Sequence, residues 1–368
     1  MKNNDEFYMS MAIELAKKGL GHTSPNPLVG CVIVKNGRVI STGWHKKAGL
    51  DHAEAMALKK IKYSAKGSTL YVNLEPCCHW GKTPPCTDAI IKYGVNKVVS
   101  AMTDPNPLVK ACGHGQLKKH GIKVITGVLE KQARKLNRFF IRNITEKKPY
   151  IIMKAGISLD GKMALSNGVS RWITGEQARE YDQNLRKECD AIAVGIGTIL
   201  KDNPYLDCRV DKTKKIKKVV FDTHGRTPFN ANIFKFSDPR DIYIFSGAKG
   251  AAEIKTLSKR GVNVIIQKCK SGIKLEEASG YLFSSGIRSL LVEGGGTIHT
   301  AFLKEKLYDE AGIYIAPIFI GNDGMAFAGN LGLKNLKDAY SLKNTDVIKL
   351  GQDILIKGEF SYVQRYNI

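Results

Sequence analysis

Long apolar runs are missing from this 368-residue sequence. None approaches the ~18 consecutive apolar residues of a membrane-spanning helix, so a helical membrane protein is not expected. The opening stretch, Met1-Lys-Asn-Asn-Asp-Glu-Phe7, has neither an apolar h-region nor a small-residue cleavage site, which points to a cytoplasmic protein. Acidic residues are scarce beside basic ones, 34 Asp+Glu against 57 Lys+Arg, leaving a formal charge of +23. Such a balance suits nucleic acid, a membrane surface or a phosphorylated small molecule. The clustered, aromatic-interleaved face that reads nucleic acid is also lacking: the lysines are scattered over both halves, with only short runs such as Lys212 to Lys218. A Lys-rich solvated surface is the plainer account, and an anionic substrate stays compatible with it. Internal repeats and low-complexity segments are absent too.

The length suits two domains, and 43% hydrophobic with 25% charged residues describes a globular chain. Eight cysteines could suggest a disulfide framework. Without a signal peptide, and with Cys77, Cys78 and Cys86 crowded together, metal binding is the better reading of the cluster. Cys31, Cys112, Cys189, Cys208 and Cys269 stand alone and read as small buried or incidental residues.

Hydrophobic period and turn signals give alternating helices and strands over the first ~145 residues. A helix is expected over 5–19 and a hairpin through Asn36-Gly37. Then come a helix at 52–60, a strand at 69–74, helices near 86–93 and 114–120, strands at 97–102 and 122–126, and one helix over 129–144. Lys147-Lys148-Pro149 breaks the pattern and sets a boundary between domains 1–147 and 148–368. Strands follow at 150–154, 190–194, 217–222, 241–245, 262–266, 288–293 and 311–316. The last segment, 345–367, reads as two or three strands without helices, so the second sheet should end in antiparallel pairing.

Three features converge within residues 51–87. His52-Ala-Glu54 opens a helix after the hairpin, and Pro76-Cys77 and Pro85-Cys86 follow. Hydrolytic zinc sites need three protein ligands and an open position for water, and His52, Cys77 and Cys86 form such a set. Placing Cys77 and Cys86 near helix N-termini would favour their thiolates. Glu54, two residues beyond His52, would point away from it in a regular helix. His52 is therefore expected on an irregular first turn, with Glu54 relaying protons between water and a departing amine as the catalytic residue. The competing reading is a closed structural zinc site with Cys78 or His79 as fourth ligand, which leaves Glu54 without a role. Cys78 also competes with Cys77 as ligand, whereas His79 suits a substrate contact.

Nucleic-acid and nucleoside deaminases carry a tight P-C-x-x-C, whereas here eight residues separate Cys77 from Cys86. The segment Pro76-Cys-Cys-His-Trp-Gly-Lys-Thr-Pro-Pro-Cys86 instead resembles the pyrimidine deaminases of riboflavin biosynthesis. Pro25-Asn-Pro-Leu-Val-Gly-Cys31 and Asp104-Pro-Asn-Pro107 resemble the same family, which places them around the substrate. The resemblance covers nearly the whole chain, because that family fuses a deaminase to a reductase. It implies an α/β protein: an N-terminal cytidine-deaminase-like three-layer α/β/α domain followed by a dihydrofolate-reductase-like α/β domain.

In the second domain Lys154-Ala-Gly156-Ile-Ser-Leu-Asp160-Gly161, Ser170-Arg-Trp172-Ile-Thr174, Gly195-Ile-Gly-Thr198 and Asp202-Asn-Pro204 continue the resemblance in order. Physically, the strongest signal is Leu290-Leu-Val-Glu293-Gly294-Gly295-Gly296-Thr297, since glycines between strand and helix let backbone N–H groups approach a phosphate. The G-x-G-x-x-G pattern is absent from the domain's first strand–helix junction. The resemblance implies NADPH contacts at Gly156, Trp172, Thr198, Asp202, Thr223, Gly295, Gly296, Thr297, Ile298, His299, Thr300 and Ala301. It implies contacts to a phosphorylated pyrimidine at Ser170, Arg186, Leu206, Arg209 and Glu293, and the guanidinium groups suit phosphate. Lys154 and Asp202 are candidate polar partners for reduction.

The expectation is thus hydrolytic loss of ammonia from a diaminopyrimidine ribosyl phosphate at a Zn2+ centre, then NADPH-dependent reduction of the ribosyl chain to a ribityl chain. A homo-oligomer, joined through the reductase sheet, is implied by the resemblance alone. The rivals are a tRNA or nucleotide deaminase with an unrelated C-terminal domain, and a zinc-stabilised nucleic-acid-binding protein.

Overall fold

Alternation along Cys31-Val32-Ile33-Val34 decides the N-terminal architecture. In a strand, successive side chains take opposite faces, and here both faces are apolar, so both must be covered. The computed structural model describes residues 2–61, 64–81, 83–107, 111–247, 252–268 and 272–362, and divides into two compact units, Met1–Lys147 and Lys148–Ile368. Lys82, Cys269 and the end of the expected C-terminal strands, 363–367, lie outside the described residues.

In the first unit, helix α1 (Lys2–Lys17) leads to β1 (Gly30–Lys35), β2 (Arg38–Trp44), α2 (Ala53–Lys59), β3 (Thr69–Val72), α3 (Cys86–Lys92), β4 (Lys97–Ser100), α4 (Cys112–Lys119), β5 (Lys123–Thr126), α5 (Glu130–Leu136) and α6 (Arg138–Glu146). The sheet order is β2-β1-β3-β4-β5, with antiparallel pairs around β1 and parallel pairs from β3 onward. Cys31 and Ile33 pack with Ala53, Leu58, Ile90 and Leu117 of α2, α3 and α4. Val32 and Val34 pack with Met9, Ala12 and Ala133 of α1 and α5. These two cores make the three-layer sandwich. The hairpin turns on Asn36 and Gly37, both at positive φ, as its two-residue loop demands.

One expected element is corrected: the helix over 129–144 is two helices, interrupted at Asn137. The buried Asn137 amide is used elsewhere, accepting from the Leu28 N–H at 2.8 Å and donating to the Leu28 carbonyl at 3.0 Å. Tertiary pairing with the Pro25–Gly30 segment overrides the helical period.

The second unit runs β6 (Tyr150–Ser158), β7 (Lys162–Ala164), α7 (Glu176–Glu188), β8 (Ala191–Gly195), α8 (Ile196–Asp202), β9 (Lys217–Phe221), β10 (Ile242–Ser246), α9 (Ala252–Lys259), β11 (Asn263–Ile266), α10 (Leu275–Ser284), β12 (Ser289–Glu293), α11 (Gly296–Lys304), β13 (Glu310–Ala316), β14 (Met325–Ala326), β15 (Ser341–Leu350) and β16 (Asp353–Ser361). Its nine-stranded sheet has the order β11-β10-β9-β8-β12-β6-β13-β16-β15. The pairs from β11 to β13 are parallel, and β16 and β15 add the expected antiparallel end. One core joins alternate strand residues (Met153, Ala193, Phe221, Val292) to α10 and α11. Another joins the intervening residues (Val194, Val220, Ile244) to α8 and α9. Among the described residues no helix is long and apolar enough to cross a membrane.

Candidate active sites

The end of β2 delivers the chain to Trp44 and His45, and a short connection brings it to His52. His52 is the N-cap of α2, with extended backbone (φ −70°, ψ 162°), while Glu54 lies in the first helical turn and is buried. The expected irregular placement of His52 is therefore found, and it lets two residues only two apart face one centre. Loop 73–85 after β3 carries Cys77, and Cys86 opens α3.

Cys77 stands in this loop and outside any helix. Its sulfur still meets a helix N-terminus, because the Cys86 N–H donates to Cys77 Sγ at 3.3 Å. His52 Nδ1 lies 3.2 Å from Cys86 Sγ and 3.5 Å from Cys77 Sγ. A tetrahedral zinc with Zn–N of about 2.0 Å and Zn–S of about 2.3 Å would hold nitrogen and sulfur about 3.5 Å apart. The donor set fits the ion, and it is the His/Cys/Cys cluster found among the described residues. The other ring nitrogen, Nε2, meets Thr83 Oγ1 at 3.3 Å, the kind of contact that fixes the orientation of a ligating imidazole.

Its hydrogen bond with Cys86, together with those from His52 and the Cys86 N–H, holds the Cys77 thiol down at about 4. Its partner Cys86 is pushed up by that same bond and by burial. Burial, reinforced by the negative charge of Cys77, raises the Glu54 carboxyl to about 7. A carboxyl so placed can both take and return a proton near neutral pH.

Cys78 is not a competing ligand: it forms a disulfide with Cys112, which sequence reading had left alone. His79 is exposed, and burial raises the nearby Asp104 carboxyl. Around this centre are residues the motifs did not single out. Glu75 is buried and accepts from the N–H groups of Asp104, Ala111 and His114. His45, pushed down in pKa mainly by burial, meets Asn26 Nδ2 at 3.0 Å through Nε2, and its ring lies edge-on to His52. Asn73 Oδ1 accepts the Gly30 N–H at 2.8 Å. Glu75 had a signal, its place directly before Pro76-Cys77. The others are contacts between distant segments and had none.

In the second unit the candidates gather at the carboxyl ends of parallel strands, the usual ligand side of such sheets. β8 and β12 are neighbours, and each runs through glycine into a helix. Gly195 caps α8, Gly295 caps α11, and a Cβ at Gly294 would stand 3.6 Å from Thr198 Oγ1 and 3.7 Å from the Gly195 nitrogen. A Cβ at Gly295 would meet nothing within 4 Å, whereas one at Gly296 would run into the Ala326 carbonyl, so the open space before α11 lies at its cap, Gly295. This suits a dinucleotide phosphate.

Gly156 lies in β6 against Thr174, and Thr223 just beyond β9. Ser170 and the exposed Trp172 are in the loop before α7, where Arg179 lies 4.5 Å from the Trp172 ring. Arg171 donates to the Asp202 carbonyl at 2.9 Å, holding that loop to the end of α8. Thr297 is exposed, and Gly296, Thr300 and Ala301 continue the first turns of α11. Ile298 and His299 point into the core. His299 Nδ1 meets the Tyr308 hydroxyl at 2.8 Å, and burial brings its pKa down to about 4.

Two residues assigned to substrate meet each other. Arg186 donates to both oxygens of Glu293, at 2.9 and 2.7 Å, and to the Asp207 carbonyl at 3.0 Å. Burial alone would raise Glu293, but Arg186 and Lys154 reverse this and hold it at about 2. Lys154 pairs with Asp182 at 3.2 Å, and these charges outweigh burial to keep its pKa raised. Leu206 is buried at positive φ, while Arg209 is exposed and its backbone N–H donates to Gln183 Oε1 at 2.9 Å.

Comparison with known proteins covers both units. The model of the cytidine and deoxycytidylate deaminase zinc-binding region matches residues 2–102, and that of the RibD C-terminal domain matches 149–356. The second match removes the rival with an unrelated C-terminal domain. The riboflavin biosynthesis protein RibD of Aquifex aeolicus is 41% identical over 353 residues, covering 96% of this chain and 97% of its own. Acinetobacter baumannii RibD superposes with a TM-score of 0.89 at 37% identity, covering 98% of this chain and 100% of its own. A Thermotoga maritima structure described as a diaminohydroxyphosphoribosylaminopyrimidine deaminase/5-amino-6-(5-phosphoribosylamino)uracil reductase gives 0.85 at 34% identity, with 97% and 99% covered.

Proposed function

Because the chain belongs to the RibD family, it is a zinc- and NADPH-dependent deaminase and reductase of riboflavin biosynthesis, and we propose that residues 1–147 deaminate and residues 148–368 reduce. The substrate we assign is the small phosphorylated pyrimidine named for the Thermotoga relative, not a nucleic acid. His52, Cys77 and Cys86 would hold zinc, which supplies the acidity that makes water a nucleophile at neutral pH. Glu54 accepts the proton that water loses and returns it to the departing 2-amino nitrogen. Asn26, His45 and the Asp104 loop line the approach and orient the ring.

The ribosyl group must then open to an imine so that hydride reaches C1′. NADPH supplies that hydride. The Gly295 end of α11 with Thr198 of α8 holds its phosphates, and Gly156, Trp172, Asp202 and Thr223 complete the cleft. Ser170, Leu206 through its backbone, and Arg209 meet the sugar phosphate. Arg186 and Glu293, locked together, present the rim of that site, and Lys154, held charged by Asp182, is the proton source nearest the strand ends.

The observation that carries the deaminase assignment is His52 Nδ1 facing both sulfurs with Glu54 buried in the next turn. The test is incubation with 2,5-diamino-6-(ribosylamino)-pyrimidinone 5′-phosphate. Ammonia should appear without NADPH, and NADPH should be oxidised only by the deaminated product. If zinc-loaded protein does neither, the residue assignments fail. A cytoplasmic homo-oligomer completes the reading. The outer position of β15 with exposed Val347 supports a sheet-mediated contact, and sedimentation velocity checks it.

A further inference from the structure

Cys78 directly follows a zinc ligand, and Cys112 opens α4 on the far side of the Asp104 loop. Their sulfurs are bonded in the structure. The two backbones also approach closely beside that bond, since a Cβ on Gly113 would run into the Pro76 carbonyl oxygen. Glu75 adds a second tie, accepting N–H groups from Asp104 at 3.0 Å and from Ala111 and His114 at 3.1 Å. Ala111 itself sits at φ 61°, a left-handed conformation that a non-glycine residue takes only under restraint. Its restraints are the Glu75 bond on its own N–H and the cross-link at the next residue.

Access separates Cys112 from the other described cysteines. Cys112 is exposed, whereas Cys31, Cys189 and Cys208 are buried and Cys77 and Cys86 face His52. We propose that Cys78 and Cys112 form a reversible oxidation site that exchanges with a low-molecular-weight disulfide of the glutathione class, and that its closed form fixes the Asp104 loop against the zinc-ligand loop. In the forward step the Cys112 sulfur loses its proton to water and attacks one sulfur of the small disulfide. That S–S bond breaks, and the departing small thiolate takes up a proton. Cys78 then loses its proton and attacks the mixed disulfide at Cys112, forming the Cys78–Cys112 bond and releasing a second small thiol. The two cysteines are oxidised by two electrons and the small disulfide is reduced by two.

Glu75 still holds the loop in the dithiol form, so exchange tunes the deaminase and does not silence it. Reduction should raise KM for ammonia release several-fold and leave kcat, zinc content and NADPH-oxidising activity unchanged. The kinetic part rests on the deaminase assignment, whereas the linkage itself is read by mass.

The full-length, zinc-loaded protein is equilibrated across a series of reduced-to-oxidised glutathione ratios, alkylated and digested. The Cys78–Cys112 linked peptide is quantified, and both activities and zinc are measured at each ratio. The linked fraction should follow the ratio, and the deaminase KM should follow the linked fraction. Cys112→Ser should match the reduced enzyme at every ratio, with zinc content showing that its deaminase unit is folded. The proposal fails if no linked peptide forms at the most oxidising ratio, if KM is the same in linked and reduced protein, or if Cys112→Ser keeps the redox response, which would assign it to the zinc thiolates. A linked peptide in protein that never releases ammonia would count against the deaminase assignment and leave the oxidation site standing.

Discussion

Glu54 and His299 are both buried titratable groups, and burial moves them in opposite directions because it disfavours the charged form of each, the carboxylate of one and the imidazolium of the other. For Glu54 the raised value means that the acidic limb of the deaminase pH–rate profile should lie well above an ordinary carboxylate and toward pH 7. Glu54→Gln should reduce ammonia release by about 10²–10⁴-fold. Zinc stoichiometry should be retained and NADPH oxidation on the deaminated substrate untouched. Retained ammonia release would remove Glu54 from the proton path. For His299, the folded value of about 4 lies below the unfolded value near 6.5. Between those values the unfolded chain binds the extra proton, so His299 favours the folded state above pH 6.5, and that contribution is lost as pH falls toward 4. Melting temperature measured across this window should fall less steeply in His299→Asn than in the parent. The Arg186–Glu293 pair gives a sharper readout: Arg186→Met strands a buried carboxylate and should destabilise the second unit by about 3 kcal/mol, measured by denaturant unfolding. None of these couplings was legible in the sequence. Arg186 and Glu293 could each be singled out in the sequence, but their pairing depends on α7 packing beside the end of β12.

At the level of elements, the deaminase centre is made by three chain reversals: into α2 at His52, out of β3 at Cys77 and into α3 at Cys86. Period and motif placed α2 and α3 within a residue or so, because their apolar faces repeat cleanly and the histidine and cysteine mark the junctions. They failed over 129–144, where an unbroken helical pattern hides the use of Asn137 by Leu28. They also failed at Cys112, whose partner is far away in sequence. Gly113 tests how closely α4 and the ligand loop depend on one another. Gly113→Ala would drive a methyl group into the Pro76 carbonyl, so either α4 or the Pro76–Cys77 backbone must move. The expected result is a protein with weakened zinc retention against a chelator and reductase activity intact. Unchanged zinc affinity would show that α4 gives way instead.

Across the whole molecule, the proposed division of deamination and reduction between the two units means that removing zinc with a chelator should abolish ammonia release while NADPH oxidation by supplied deaminated substrate continues. The fusion and both fold classes could be read from the order of motifs, since each unit repeats its own alternation of strand and helix. The two units also differ in how soon they can form as the chain is made. All three zinc-ligand candidates lie between His52 and Cys86, in turns and helix starts around β3, and the strands of this unit pair with strands close by in chain order. The reductase sheet is the reverse case: β6 is its first strand to emerge, yet Tyr150 pairs with Ser289 of β12 and Ile152 with Glu310 of β13. Contacts of such long range form slowly. During synthesis, an apolar strand with two unfilled edges would wait on nearly the entire second unit, while the first is already free to fold and take up its metal. A chain stalled between β6 and β12 should therefore give aggregates built around a finished deaminase.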